Sequence, residues 1–163
     1  MEDQSPSEIP EDHGGRATFL DKLIATGLGS GLSPAAPGTV GSVIGLLVYS
    51  IPGFEKIYVI IPAILVFFIW GTYSAGKMEK TYGHDPGRVV IDEIVAMWIS
   101  LVFLPKRLFL MAIGFLIFRM LDIFKPYPAN QIDKRNGGLS IMLDDVVCGV
   151  YTNIIIQLYL HFL

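Results

Sequence analysis

Cysteine occurs once in the 163 residues, at Cys148, which excludes an intramolecular disulfide scaffold. Histidine is scarce too. His13, His84 and His161 stand far apart, and no Cys/His group has the spacing of zinc ligands. Charged residues make up only 17% of the chain, against about 25% in soluble domains. With 12 basic and 15 acidic side chains there is no cationic surplus of the kind nucleic-acid binders carry. The opening stretch, MEDQSPSEIPEDHGG, lacks both the basic start and the apolar run of a secretory signal. Residues 1–16 therefore read as a disordered acidic tail ahead of a single domain over 17–163.

What the sequence has in excess is apolar surface: 52% of its residues are hydrophobic. Residues 17–26 (ATFLDKLIAT) show apolar side chains near helical spacing, which predicts a short amphipathic helix. Apolar segments follow at 40–51, 57–76, 94–104, 109–123 and 146–163. Crossing a bilayer takes about 20 apolar residues, and only the second and the last of these reach that unaided. A soluble bundle with buried helices is the competing reading. Charge placement favours the membrane. If 52–56 and 105–107 are short turns, they carry Lys56, Lys106 and Arg107. The opposite side then carries Arg16, Lys22, Lys77, Lys80, Arg88, Arg119, Lys125, Lys134 and Arg135, and by the positive-inside bias it is cytoplasmic. The expected fold is an all-α integral membrane bundle of about four transmembrane helices plus the amphipathic one, helical because backbone in lipid must satisfy its own hydrogen bonds.

Three polar clusters interrupt the apolar chain. The first is the loop GLSPAAPGTVGS over 31–42, where glycine permits close backbone approach. Ser33, Thr39 or Ser42 could cap the following helix and leave its N–H groups facing an anion. The second is HDPGRVVIDE over 84–93. Asp92 and Glu93 suit a helix start through the macrodipole, and they also offer hard oxygen ligands for Mg²⁺. The third holds Arg119, Asp122 and Lys125, three apart and so on one helical face, then Asp133, and then Asp144 and Asp145 just before the last apolar run. Carboxylates for a metal beside cations for an anionic oxygen point to a phosphorylated ligand. Ionisable groups at membrane depth are costly and mark function.

Other motifs fail. The stretch over 71–78 resembles a P-loop, but Met78 stands where Ser or Thr is needed and no strand precedes it. Six residues after Cys148 comes Ile154, where a cysteine phosphatase would need arginine.

Taken together, SPAAPGTVGS, DPGRVVIDEIVAMWIS and FRMLDIFKPYPANQIDKRNGGLSIMLDDVVCGV resemble the phosphatidylglycerophosphatase A family, in family order and spacing over about residues 17–163. The resemblance implies a magnesium-dependent lipid phosphatase of bacterial phospholipid synthesis that converts phosphatidylglycerophosphate to phosphatidylglycerol and inorganic phosphate. It places the enzyme in the inner membrane with its site facing the cytoplasm. Its motifs fall on Pro37, Gly38 and Thr39, on Asp92 and Glu93, on Arg119, Asp122, Lys125 and Pro126, and on Asp133, Gly138, Asp144 and Asp145.

The expected roles follow. Asp92, Glu93, Asp122, Asp144 and Asp145 are the candidate Mg²⁺ ligands. Ser33, Gly38, Thr39, Arg119 and Lys125 would hold the substrate phosphate, and Asp133 or Asp144 would serve as base. The expected partner is a phospholipid in the membrane, with no nucleic acid and no obligate protein partner. A CDP-alcohol phosphatidyltransferase is the rival enzyme class, but its Asp-Gly-x-x-Ala-Arg signature is not supplied by Asp144-Asp145-Val-Val-Cys-Gly. The non-enzymatic rival is an ion-conducting helical bundle.

Overall fold

The computed structural model describes residues 15–84 and 86–162. Most of the expected acidic tail, with His13, lies outside the described residues, as does Asp85 of the second polar cluster. Every regular element among the described residues is helical, as expected: α1 (Phe19–Ala25), a single 3-10 turn (Ser30–Leu32), α2 (Pro37–Ser50), α3 (Ile57–Tyr82), α4 (Ile91–Leu101), α5 (Leu108–Phe124), α6 (Ala129–Ile132) and α7 (Gly138–His161).

Five of these helices run alternately up and down, with their polar ends together. At the far end, Lys106 Nζ donates to the Ile51 carbonyl (2.7 Å) and to Glu55 Oε2 (2.9 Å), which ties the α2–α3 turn to the α4–α5 turn. The two turns that sequence placed on one side are therefore neighbours. The short helix α4 is the hub. It packs most extensively on α7 and α2, and its Val95, Ala96 and Met97 are fully buried. Polar side chains fasten it in place. Trp98 Nε1 donates to the Gly45 carbonyl (2.9 Å), and Asn153 Nδ2 donates to the carbonyls of Ser100 (3.1 Å) and Val102 (2.7 Å).

Close helix approach depends on one position above others. A Cβ on Gly138 would stand 1.9 Å from the Thr72 carbonyl oxygen and 2.4 Å from the Gly76 nitrogen, so only glycine lets α7 start against α3. Glu79 secures the same junction, its Oε2 accepting the Gly137 N–H at 2.6 Å.

Two helices, α3 and α7, are long and apolar enough to cross a membrane. By comparison α2 has 14 residues, α4 11 and α5 17, so about four full crossings are not established. Only 17% of the apolar window of α3 is buried, which is unlike a soluble core helix, and Leu65, Val66, Ile69 and Trp70 all face outward.

The amphipathic helix forms as α1. Thr18 caps it in a reciprocal box with Asp21, and Lys77 Nζ donates to Asp21 Oδ2 (3.1 Å) across to α3. Burial raises the Asp21 carboxyl, but the bonds from Thr18 and Lys77 outweigh it and hold the group below the usual carboxylate range.

Three local expectations change. Asp144 and Asp145 lie inside α7, which begins at Gly138 rather than beside the apolar run, because Gly138 can nestle against α3. The apolar segment expected over 57–76 continues as helix to Tyr82, so 71–78 lies within α3. No side chain caps α2. Its N-cap is Ala36 in the left-handed region (φ 46°), with Pro37 opening the helix. Ser33 Oγ instead donates to the Ala35 carbonyl (2.9 Å) and Ser42 Oγ to the Gly38 carbonyl (2.8 Å).

Candidate active site

The polar end of the bundle encloses a cavity of about 240 Å³. Its lining comes from the start of α2 (Ala36, Pro37, Gly38), the loop before α4 (Gly87, Val89), the first turn of α4 (Asp92, Glu93), the end of α5 (Arg119, Asp122, Lys125) and the second turn of α7 (Asp144, Asp145). Residues more than a hundred positions apart thus share one space.

Three of the carboxylates form a tighter group. Asp92, Glu93 and Asp145 each place an oxygen within 4.8 Å of the others. Glu93 Oε2 and Asp145 Oδ2 are buried without a hydrogen-bond donor. Three carboxylates packed this closely, with acceptor oxygens left over, form a group that could hold a cation, and hard oxygen donors suit Mg²⁺.

The other two acids are committed elsewhere. Arg119 Nη1 donates to Asp122 Oδ2 (2.5 Å) and to Ser42 Oγ (3.3 Å), and it stands 4.0 Å from Glu93 Oε1. Lys125 Nζ donates to Asp144 Oδ2 (2.6 Å) and to Asp133 Oδ1. Lys125 reaches both because it ends α5 in the left-handed region (φ 42°), and Pro126 prevents the helix from continuing. Burial works against its charge, but the bonds to Asp133 and Asp144 outweigh that and push its pKa upward, so it stays cationic.

Gly38 is where the α2 backbone meets this constellation. A Cβ there would lie 2.2 Å from Glu93 Oε1 and 3.2 Å from Arg119 Nη1. No side chain caps α2, so its first-turn N–H groups are left without a side-chain acceptor at the positive end of the helix, where Pro37 and Gly38 line the cavity.

Of the residues singled out from sequence, Gly38, Asp92, Glu93, Arg119, Asp122, Lys125, Asp144 and Asp145 line the cavity together. Asp133 joins through Lys125. Thr39 follows Gly38 in the first turn of α2 without lining the cavity, and Ser33 sits outside it, hydrogen-bonded within its own loop. Asp122 and Asp144 line the cavity but stand outside the group of three mutually close carboxylates. Sequence reading missed the part of Ser42 as an acceptor for Arg119, since a serine in a helical segment reads first as a cap. It also missed Glu79, whose one signal was an acid near a helix end facing a glycine pair.

Comparison with known proteins places this arrangement. Residues 23–160 match the family model described as Phosphatidylglycerophosphatase A. A Bacteroides thetaiotaomicron protein named "Putative phosphatidylinositol-3-phosphatase" is 40% identical over 149 residues, 86% of this chain and 94% of that protein. The Phosphatidylglycerophosphatase A of Escherichia coli is 40% identical over 131 residues, 78% of this chain and 76% of that protein. The protein of the same name from Haemophilus influenzae is 37% identical over 141 residues, 82% of this chain and 85% of its own. No solved structure matches. The class is thereby defined: this helical protein is a lipid phosphatase, a hydrolase of phospholipid metabolism. Within that class, the chain belongs to the phosphatidylglycerophosphatase A family.

Proposed function

We propose that this protein hydrolyses the terminal phosphate monoester of phosphatidylglycerophosphate, releasing phosphatidylglycerol and inorganic phosphate, with Mg²⁺ as cofactor. The observation that carries the reading is the convergence of three close carboxylates, two cations and an uncapped helix start on one cavity. A phosphate monoester with a metal ion presents the complementary charges.

In this reading Asp92, Glu93 and Asp145 hold the metal, and Asp122 and Asp144 act beside it rather than as ligands. Bound there, Mg²⁺ would polarise the phosphate and acidify a water molecule. Arg119 binds phosphoryl oxygens through its guanidinium, whose Nε is buried without an acceptor, while Asp122 and Ser42 orient it. Lys125 neutralises a further oxygen. The N–H groups at the start of α2 donate to the same phosphate. Asp144 is favoured over Asp133 as base, because it lines the cavity and its Oδ1 is buried without a donor, ready to orient the attacking water and accept its proton. The reading extends to a multi-pass protein of the bacterial inner membrane with this cavity on the cytoplasmic side, supported by α3 and α7 and by the basic residues of the polar end.

The test is phosphate release in detergent from phosphatidylglycerophosphate and, in parallel, from phosphatidylinositol 3-phosphate, with Mg²⁺ and then EDTA. Metal-dependent turnover of the first substrate, lost in Asp145→Asn, supports the proposal. Preference for the inositol lipid would move the assignment toward the name that the Bacteroides relative carries, leaving the site chemistry intact.

A further inference from the structure

Two short segments that wall the carboxylate cavity also wall a second one. Gly87 and Val89 face the first cavity, while Arg88 between them faces the second. Ala36, Pro37 and Gly38 line the first, while Gly29 and Leu32, just upstream, line the second. The two segments are packed without slack, since a Cβ on Gly31 would fall 2.0 Å from the Arg88 carbonyl oxygen. The second cavity, of about 230 Å³, lies between α1 and the C-terminal end of α3, among Phe19, Leu23, Leu32, Met78 and Tyr82.

Its chemistry is divided. The walls are apolar, and large apolar side chains continue outward from them: Phe19 is 77% and Leu32 62% exposed. Two cations stand at the Tyr82 ring, with Lys22 Nζ 5.7 Å and the Arg88 guanidinium 5.9 Å from its centroid. Among the described residues no carboxylate lies within ion-pair distance of either. An apolar slot with cations at its mouth, open along an exposed apolar helix, is complementary to an anionic phospholipid.

We propose that this second cavity seats the phosphatidyl arm of the substrate. The first carbons of an acyl chain lie among Phe19, Leu23, Leu32 and Met78, and the internal phosphodiester pairs with Lys22 and Arg88. The terminal phosphate then reaches past the 87–89 segment into the carboxylate cavity. The inference rests on the reading of the chain as a phosphatase of phosphatidylglycerophosphate, whose two phosphates are joined by one glycerol. A site that grips only the terminal phosphate leaves the second phosphate without a counter-charge, and Lys22 and Arg88 supply one at a neighbouring cavity.

Two experiments on the full chain test it. In the first, hydrolysis is followed for the diacyl substrate, for its deacylated form and for glycerol 3-phosphate. Filling the slot with Leu23→Trp is expected to raise KM for the diacyl substrate about 15- to 60-fold, the effect of unburying two or three methylenes, with kcat and the deacylated substrate unaffected. The double substitution Lys22→Gln with Arg88→Gln is expected to raise KM for both substrates that contain the phosphodiester and not for glycerol 3-phosphate. Equal effects on all three substrates, or no effect on any, overturn the proposal.

In the second experiment the same lipid carries a carbene precursor near the carboxyl end of one acyl chain and is photolysed with the protein in detergent. Label is expected on α1 and the end of α3, reduced in Leu23→Trp and in the milder Phe19→Ala. Label confined to α5 and α7 overturns the proposal whatever the kinetics. Labelling as expected in a protein that hydrolyses none of these substrates would retain the seat and refute the catalytic reading. Turnover with label elsewhere would do the reverse.

Discussion

Gly38 and Glu93 touch so closely that a single added methyl would sit 2.2 Å from the Glu93 carboxylate, at the point where the α2 backbone meets the acidic cluster. Gly38→Ala must therefore displace Glu93 or the start of α2. Because a shift of about 1 Å in a reacting constellation can cost on the order of a hundredfold, kcat is expected to fall by about that factor. Circular dichroism and melting should remain near the parent. Wild-type turnover in Gly38→Ala would show that the helix start does not contribute to catalysis.

The acidic group makes opposite demands on stability and activity. Asp145→Asn removes one of three crowded carboxylates, which relieves repulsion in the metal-free protein while removing a proposed Mg²⁺ ligand. The variant is expected to melt at or above the parent temperature in EDTA, to gain less from added Mg²⁺, and to lose at least about a thousandfold in turnover. Paired melts with and without Mg²⁺, beside a phosphate-release assay, check all three. A parent protein whose melting is indifferent to Mg²⁺ would argue against the metal.

At the other junction the expected effect is purely structural. Gly138→Ala forces a methyl into the Thr72 carbonyl and the Gly76 backbone, atoms that cannot rotate away. It should destabilise by about 3 kcal/mol, the upper range for overpacking, or prevent folding. Gly87→Ala, which meets nothing within 4 Å, is the control for stability. Equal melting of the two variants would mean that α3 and α7 can separate at no cost.

Acid should loosen α1 late. The folded Asp21 pKa is depressed, so its contribution is fully present above the unfolded value of about 3.9 and is lost only as pH falls through the lower folded value. Hydrogen exchange of α1 should stay protected down to about pH 4. In Asp21→Asn, which loses the Lys77 pair and half of the capping box, that protection should already be weaker at neutral pH, by about 1 kcal/mol. Identical protection in the two proteins would mean that α1 is held by apolar packing alone.

Sidedness can be read with a thiol reagent. The native Cys148 is buried and should stay silent. In sealed right-side-out vesicles, Lys106→Cys is expected to react with an impermeant maleimide, and Lys134→Cys only after lysis. Reaction of both from one side would refute a bilayer between the two ends.

Much of this was legible in the sequence because the acids and bases stand out against an apolar background. Asp92, Glu93, Arg119, Asp122, Lys125, Asp144 and Asp145 could be collected before any fold was known, and the cavity gathers all of them. Helix type was legible from run length and the need to satisfy the backbone. Partner choice was not. Spacing put Arg119, Asp122 and Lys125 on one helical face, but Lys125 leaves the helix at Pro126 and turns to Asp133 and Asp144. The capping role given to Ser33, Thr39 or Ser42 failed because the polypeptide enters α2 through a left-handed Ala36, which no local pattern announces. The span count was limited likewise, since α4 is apolar by virtue of being enclosed by protein on all sides, and composition does not tell that from lipid.

The length of α3 has a consequence for where the enzyme can work. Its 26 residues extend about 39 Å, against a hydrocarbon layer of about 30 Å. In the membrane placement proposed above, that surplus would carry Lys77 and Lys80 beyond the acyl region, with Gly76, against which Gly138 seats α7, at its base. So placed, the helix would act as a depth gauge, holding the acidic pocket at the level of head-group phosphates. A bilayer a few ångströms thicker or thinner would then carry the pocket out of that plane, so the proposed placement implies a turnover that varies with membrane thickness.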